Sequence, residues 1–484
     1  MKSAVGRAIT YGVATLVPRA IGFALLPLYA HNMTPADYGL LATIDVFSTY
    51  LSITINAGFS NAFLRFYHDE DTDAWRSTTF LTCLCAAFLL GVAGVGLMEA
   101  ALLIGASHAL LTPTLHGYLS VATLTVFLEV INGIVWTLYR LEQRAPRAMV
   151  IALSRAAIAI PVNIYLIAYL KLAVFGFLIS NLSVAIVVLC LYSGPEIVKH
   201  WAKPNMALLP MLMRFSLPYI PIGFIEAFLN GMGVICLNLA GGLTAVGLFA
   251  IGSKISSIIT LSYAPINTVW TPMMYERVKR ADGKEFYSES TSYVLIFLAT
   301  TLVGVVTLGG PLLIAMTPGQ YSDAAKVIIP LSVGTAIYSL RTNVRIGFTL
   351  VRKTSHLPFY TAVPIAIGFP VTIALAYFAG IVGAALGVAG TMIGTIIITG
   401  WRSQEYFETS YQWNRILRLA LVVSVCVFLA SVIPSDQIIP RACIVILYFG
   451  LLLGTHVVRW VDVKKVIGSI APNRGGMVPK ATTD

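Results

Sequence analysis

Charged residues are scarce in this chain. Of its 484 residues only 11% are Asp, Glu, Lys or Arg, whereas 57% are hydrophobic. A soluble domain of average composition carries about 25% charged residues, so this composition excludes an ordinary soluble protein. The apolar runs exceed 18 residues, whereas barrel strands alternate over about 10 residues. The sequence therefore predicts an all-α integral membrane protein.

Long loops and metal-ligand patterns are also missing. The longest connections, Gly194–Asn205 and Glu276–Ser288, are too short to fold as separate domains. The six cysteines all fall in apolar runs, and the seven histidines are scattered without the spacing of a metal site. We therefore predict neither a metal nor a cofactor.

The apolar segments predict fourteen transmembrane helices, centred near residues 20, 52, 88, 127, 159, 182, 224, 257, 300, 338, 367, 391, 423 and 449. Lys and Arg concentrate in alternate loops, and none occurs between Ser77 and Tyr139. By the positive-inside rule both termini are then cytoplasmic, which agrees with an even number of spans. The net charge of +11 is thus interpreted as topology, and no nucleic-acid partner is expected.

An internal repeat predicts how these spans are grouped. DYGLLATIDVFSTYLSI from Asp37 aligns with AVGLFAIGSKISSIITL from Ala245, and Gly39 is paired with Gly247. Chance similarity between apolar segments is the alternative. Parallel repeats of this kind build two-lobed transporters. We predict pseudo-symmetric six-helix lobes at 1–205 (spans 1–6) and 206–410 (spans 7–12), two further spans in 411–460, and a disordered cytoplasmic tail at 461–484.

Charges inside the predicted spans point to an anion. Arg341 and Arg345 lie one helical turn apart on one face, so they repel each other and require a counter-charge. A guanidinium in the centre of a membrane helix costs about 2.5–3.5 kcal/mol on insertion scales. Guanidinium groups bind phosphate in a bidentate manner. We therefore predict that a diphosphate or similar anionic headgroup is bound by Arg341, Arg345, Arg19, Lys254 and Arg65.

Internal ion pairing is the competing interpretation. Glu129 would then face Arg341, Asp45 would face Lys254, and Arg65 would extend to the membrane interface. The three interior carboxylates are too few for the four interior cations, so a positive surplus is expected. Asp45 and Glu129 are also candidates for carrying a coupling ion. Asn163, Glu226 and Asn230 are candidates for binding glycan hydroxyls.

The segment Pro18–Asp71 resembles the opening of bacterial polysaccharide flippases of the O-antigen type. The matching motifs are LPLYA at Leu26–Ala30, TPADYGLLA at Thr34–Ala42 and LRFY at Leu64–Tyr67. These flippases belong to the superfamily of multidrug, oligosaccharidyl-lipid and polysaccharide exporters, which also contains lipid II flippases.

The resemblance implies a transporter rather than an enzyme. The expected substrate is an undecaprenyl-diphosphate-linked oligosaccharide, moved by alternating access from the inner to the outer leaflet of the bacterial cytoplasmic membrane. The interior carboxylates add H⁺ or Na⁺ as the candidate coupling ion, as in an antiporter. O-antigen, lipopolysaccharide or exopolysaccharide biosynthesis would be the pathway, and glycan polymerase or export machinery the partners.

Three other functions remain open at the level of sequence. A lipid II flippase has similar substrate chemistry. A multidrug cation extruder shares the fold, but its site should be acidic and aromatic, whereas the interior charges here are net positive. A membrane polymerase or ligase of the same pathway would need a large outer loop with catalytic groups, and the longest outer segment is about Glu99–Thr114.

Overall fold

The computed structural model describes residues 14, 16–18, 20–107, 112–277, 283–351, 356–409, 411–455 and 457. Arg19 and the predicted tail at 461–484 lie outside these residues. The described residues are helical and contain no strand. The helices of the N-terminal half are Leu26–Asn32 (α1), Pro35–Asn56 (α2), Phe59–Phe66 (α3), Asp73–Ser107 (α4), Pro113–Leu141 (α5), Ala145–Asn163 (α6), Ala173–Val188 (α7) and Gly194–Lys199 (α8).

The C-terminal half is built in the same way from long apolar helices. In the N-terminal half, π-helical segments follow α6 and α7 at Ile164–Tyr169 and Leu189–Ser193. The remaining helices are Leu209–Ser216 (α9), Tyr219–Ala240 (α10), Gly242–Ser256 (α11), Ile258–Arg277 (α12), Gly283–Met316 (α13), Ala325–Ser339 (α14), Arg341–Val344 (α15), Ile346–Leu350 (α16), Leu357–Tyr406 (α17), Trp413–Val432 (α18) and Ile438–Gly454 (α19).

Eleven of the described helical segments are long and apolar enough to cross a membrane. The 50-residue helix α17 is not straight, because Gly380 adopts φ 57° and ψ −136°. Only glycine tolerates this conformation readily. Beyond Gly380 the chain turns back, so that Gly368 packs against Thr391 and Gly387 against Thr372. Helix α17 therefore consists of two antiparallel arms, which carry the predicted span centres at 367 and 391.

Helix α2 begins at a capping box. The Thr34 hydroxyl accepts a hydrogen bond from the Asp37 amide at 3.2 Å, and the Asp37 carboxylate accepts one from the Thr34 amide at 2.9 Å. Pro35 occupies the first helical position, where its missing N–H is not needed. This cap fixes the start of α2 and thereby the position of Gly39, one turn further along.

The two halves of the chain meet where α2 crosses α11. A Cβ atom on Gly39 would lie 1.9 Å from the Leu243 carbonyl oxygen, and one on Gly247 would lie 1.8 Å from the Pro35 carbonyl oxygen. The helices touch through backbone at these glycines, as small residues in membrane helices allow. These are the glycines that the repeat alignment pairs. The division into two six-helix lobes stays a prediction.

Arg441 ties α18 and α19 to α13. Its side chain is only 4% exposed and donates hydrogen bonds to the backbone carbonyls of Ala430 (2.9 Å) and Ile433 (2.7 Å) at the end of α18. It also reaches the carbonyls of Val306 (3.2 Å) and Thr307 (3.3 Å). Pro311 within α13 has no N–H for the Thr307 carbonyl, so Arg441 supplies the missing donor.

Replacing Arg441 with methionine is expected to destabilise the protein. The change leaves buried carbonyls without donors, and each orphaned group costs about 1–3 kcal/mol. We expect a loss of about 2–4 kcal/mol in unfolding free energy, measured by thermal unfolding in detergent. Lys326→Met is the matched control, because Lys326 is 63% exposed in a surface pair with Asp323. Equal unfolding temperatures for the two variants would contradict this role of Arg441.

Candidate functional site

A cavity of about 560 Å³ with both apolar and polar walls lies between α11, α14, α15 and the second arm of α17. Lys254 and Arg341 line it, together with the hydroxyls of Ser257 and Thr335. A second cavity of about 390 Å³ is lined by Asp45. Both cavities share the wall residues Asn230, Val234, Ser253, Lys254 and Ser257. The two cavities therefore adjoin each other, and we call them together the central cavity.

The helical run that carries the arginines is interrupted beside this cavity. Regular α-helix ends at Ser339, resumes at Arg341, and breaks again at Arg345. Side chains from other helices satisfy the polar groups at the breaks: the Ser403 hydroxyl accepts from the Gly347 amide at 3.0 Å, and the Tyr287 hydroxyl donates to the Asn343 carbonyl. Irregular backbone at membrane depth is tolerated where it lies within protein or lines a cavity.

Arg341 presents its charge to the central cavity. Its guanidinium carbon lies 4.8 Å from the centre of the Tyr338 ring. This cation–π contact holds the side chain without neutralising it. Among the described residues no carboxylate lies within ion-pair distance of Arg341. Arg341 is thus free to bind an anion.

Arg345 has a different environment, although it lies one turn from Arg341. Its Nη1 atom is 3.6 Å from Glu226 Oε1, and its Nη2 atom donates to the Thr361 hydroxyl at 3.2 Å. The side chain is only 14% exposed, whereas that of Glu226 is 45% exposed. Arg345 is therefore neutralised within the protein, and Glu226 is committed to Arg345 in this conformation.

Lys254 supplies the second cation of the central cavity. Its Nζ atom donates to the Tyr38 hydroxyl at 3.3 Å and lies 5.9 Å from the centre of the Tyr29 ring. Asp45 lines the same cavity. The structure therefore places Asp45 and Lys254 in the walls of one cavity. Among the described residues the two are not within ion-pair distance of each other, so the predicted ion pair is not formed.

Three other predicted residues lie elsewhere. Arg65 pairs with Asp69 at 2.7 Å on an exposed face of α3. Asn163 is buried, donates to the Ser180 hydroxyl at 2.7 Å and accepts from Tyr29 at 3.2 Å. Neither residue lines the central cavity.

Glu129 is the third. It pairs with Arg155 at 2.8 Å. The ion-pairing interpretation expected Arg341 as its partner instead. Asn230, by contrast, lies in the wall of the central cavity.

Sequence reasoning missed the hydroxyl-rich face of α11 and α12. Ser253, Ser257 and Thr260 line the central cavity beside Lys254. Their spacing of three and four residues places them on one helical face. Single serines and threonines in apolar helices usually donate to their own backbone, as Ser257 also does here, and so the pattern carried little weight.

The backbone is similar to solved transporters of the multidrug and oligosaccharidyl-lipid superfamily. Lipid II flippase MurJ in an inward closed conformation covers 96% of this chain and 100% of its own, with a TM-score of 0.70 and 15% identity. An inward-facing multidrug resistance MATE family transporter of the MOP superfamily covers 86% of this chain and 99% of its own, with a TM-score of 0.63 and 16% identity. A MOP superfamily transporter from Pyrococcus furiosus covers 88% of this chain and 96% of its own, with a TM-score of 0.59 and 17% identity. The fold is therefore that of the MOP superfamily.

The sequence itself identifies the family. Residues 6–278 match the family model described as "Polysaccharide biosynthesis protein", which is more than half of the chain. The protein belongs to this polysaccharide biosynthesis family, and the prediction from the motifs in Pro18–Asp71 is confirmed. No curated protein sequence is similar enough to count as a match.

Proposed function

We propose that this protein is a flippase that moves undecaprenyl-diphosphate-linked oligosaccharides from the inner to the outer leaflet of the bacterial cytoplasmic membrane. Membership of the polysaccharide biosynthesis family supports a glycan substrate. The observation that carries the proposal is Arg341 in the wall of the central cavity, with Lys254 beside it and no carboxylate against the guanidinium among the described residues. Such a site favours a diphosphate.

The cavity chemistry fits the two parts of this headgroup. Arg341 and Lys254 would hold the diphosphate, with Arg345 kept nearby by Glu226. Asn230, Ser253 and Thr335 offer hydrogen bonds to sugar hydroxyls. A glycan diphosphate loses its hydration in hydrocarbon, whereas the polyprenyl tail is at home there. A polar cavity for the head alone therefore solves the transport problem.

We assign fourteen spans with both termini in the cytoplasm. The eleven long segments become twelve when the two arms of α17 are counted separately. Helix α19 and the segment that ends at Asn32 supply the others. With this topology the contact between Gly39 and Gly247 lies at the outer side, so the described conformation is closed toward the outside. Spans 1–6 and 7–12 form the two lobes, and α18 and α19 are appended.

Coupling and partners complete the proposal. Asp45 in the central cavity is the candidate for carrying H⁺ or Na⁺ against the movement of the headgroup. The protein acts as a transporter rather than an enzyme, and glycan polymerase or export machinery would receive its product. A multidrug cation extruder is disfavoured, because a cationic drug would meet Arg341 and Lys254. Lipid II carries the same diphosphate, so the cavity does not distinguish it from other undecaprenyl-linked glycans. A comparison of their flipping rates does.

Reconstitution in proteoliposomes tests the substrate class. We expect the protein to expose an undecaprenyl-diphosphate trisaccharide to an external glycosidase at least about tenfold faster than protein-free liposomes do. A tenfold change corresponds to about 1.4 kcal/mol. An undecaprenyl-monophosphate glycan should flip more slowly, because it offers less charge to Arg341. Faster flipping of lipid II than of the trisaccharide would favour the lipid II function, and no flipping of either would refute the proposal.

A further inference from the structure

The N-terminal half contains a further space that adjoins the central cavity. One cavity of about 260 Å³ and another of about 340 Å³ lie inside this half, and Glu129 and Arg155 line both of them. The two side chains form an ion pair at 2.8 Å and keep 37% and 27% of their surface exposed. The ion pair therefore lies between the two cavities.

The 260 Å³ cavity leads to the central cavity. Its wall includes Asp45, Ser48 and Ser52 of α2 and Asn181 of α7. Asp45 also lines the central cavity. The Asp45 carboxylate thus lies between the space proposed for the headgroup and the space that ends at Glu129.

The 340 Å³ cavity extends in the opposite direction along α5, from Glu129 past Asn132 to Tyr139. Asn132 is buried, accepts a hydrogen bond from the Ser193 hydroxyl at 2.7 Å and donates to the Ala185 carbonyl at 3.1 Å. Ser193 belongs to the π-helical turn Leu189–Ser193, and such turns are frequent at functional sites. Tyr139 lies near the end of α5 that the proposed topology places in the cytoplasm.

We propose that Glu129 and Arg155 form the gate of a proton exit path that runs from Asp45 through the N-terminal half to the cytoplasm. This inference rests on the proposed flippase function and names proton coupling as its drive. While the headgroup fills the central cavity, a proton on Asp45 needs another route to the cytoplasm. It moves through water to the Glu129 carboxylate, which on protonation loses its attraction to Arg155, and then leaves through the cavity at Tyr139.

The groups around the path suit this role. The titratable and charged side chains that line the cavities along it are Asp45, Glu129, Arg155, Lys254, Tyr29, Tyr38 and Tyr139. Arg155 is the only fixed cation between Asp45 and Tyr139 in the walls of the two described cavities. While it stays paired with Glu129, the two side chains block the way between the two cavities, which prevents a leak. Protonation of Glu129 releases Arg155 from the ion pair, and the side chain can then move aside.

Two readouts in proteoliposomes separate this gate from the flipping step. Glu129→Gln keeps the size of the side chain but cannot accept the proton as a carboxylate. We expect flipping of the trisaccharide lipid to lose its acceleration by an acidic exterior, and coupled proton entry, followed with an internal pH dye, to fall about tenfold or more. Affinity for the headgroup should stay unchanged. Glu99→Gln is the matched control, because Glu99 is a half-exposed helix carboxylate with a hydroxyl partner, Ser120.

Other outcomes would overturn the gate. A double replacement by apolar residues, Glu129→Leu with Arg155→Met, removes both charges, and unchanged pH-driven flipping in this variant would show that the pair only joins α5 to α6. If Glu129→Gln does not fold, Arg155→Gln takes its place and should raise proton leak without substrate. Wild-type flipping that ignores the pH gradient would refute the proton path and leave the flippase intact. Absence of flipping would refute the proposed function itself.

Discussion

Replacing Arg341 with alanine is expected to abolish transport while the protein still folds and inserts. Arg341 is half-buried, lines the central cavity and contacts Tyr338, so its removal leaves no buried partner charge behind. Losing one partner of a desolvated charge pair costs about 2–5 kcal/mol. We therefore expect headgroup affinity to fall about a hundredfold, measured by binding of the undecaprenyl-diphosphate trisaccharide, and surface glycan to disappear in cells that depend on this protein.

Four control variants separate charge from geometry in this prediction. Arg341→Lys keeps the charge but not the planar fork, so it should recover only part of the affinity. Arg65→Ala removes an arginine from the exposed pair with Asp69 and should leave binding unchanged. Arg345→Ala exposes an unpaired Glu226 beside the cavity, and adding Glu226→Gln should restore much of the binding that it loses. Normal surface glycan from Arg341→Ala would remove Arg341 from the mechanism.

The different environments of Arg341 and Arg345 show where sequence reasoning ends. Both were predicted to face the anion, because helical spacing places them on one face. The partner of Arg345, Glu226, comes from α10, and no local pattern indicates which of two neighbouring arginines it selects. The helix breaks at Leu340 and Arg345 have no proline to signal them. They are stabilised by Tyr287 and Ser403 from distant helices.

Features set by local chemistry were predicted more fully. The Thr34–Ala42 motif contains the cap, the proline and the glycine that start α2 and bring it to α11. The predicted span centres at 367 and 391 fall on the two arms of α17, and Gly383 and Gly387 pack on the opposite arm. Ion pairing was one of two interpretations offered for Glu129, and the expected partner, Arg341, was wrong, because the structure pairs it with Arg155. Pairing across helices depends on tertiary distances, which repeat offsets alone do not supply.

Replacing Gly39 with valine is expected to prevent the closed contact between α2 and α11. Its Cβ alone would lie 1.9 Å from the Leu243 carbonyl oxygen, whereas non-bonded heavy atoms prefer about 3.5–4.0 Å. The helices must therefore separate, and in the proposed topology an alternating-access cycle needs this contact to close the outer side. We expect transport to fall about a hundredfold, because the conformation closed outward loses most of its population, and a shift of this kind needs only a few kcal/mol.

Distance measurements can follow this population directly. Spin labels are placed in a cysteine-free background at two exposed positions, His31 at the end of α1 just before α2 and Thr244 near the start of α11, and the distance between them should lengthen in Gly39→Val. Gly247→Val should act in the same direction, since its Cβ would meet the Pro35 carbonyl at 1.8 Å. Gly96→Val is the matched control, because a Cβ on Gly96 has nothing within 4 Å. Wild-type transport in Gly39→Val with an unchanged label distance would mean that this crossing does not gate the cavity, and alternating access would then require a different pair of helices to close the outer side.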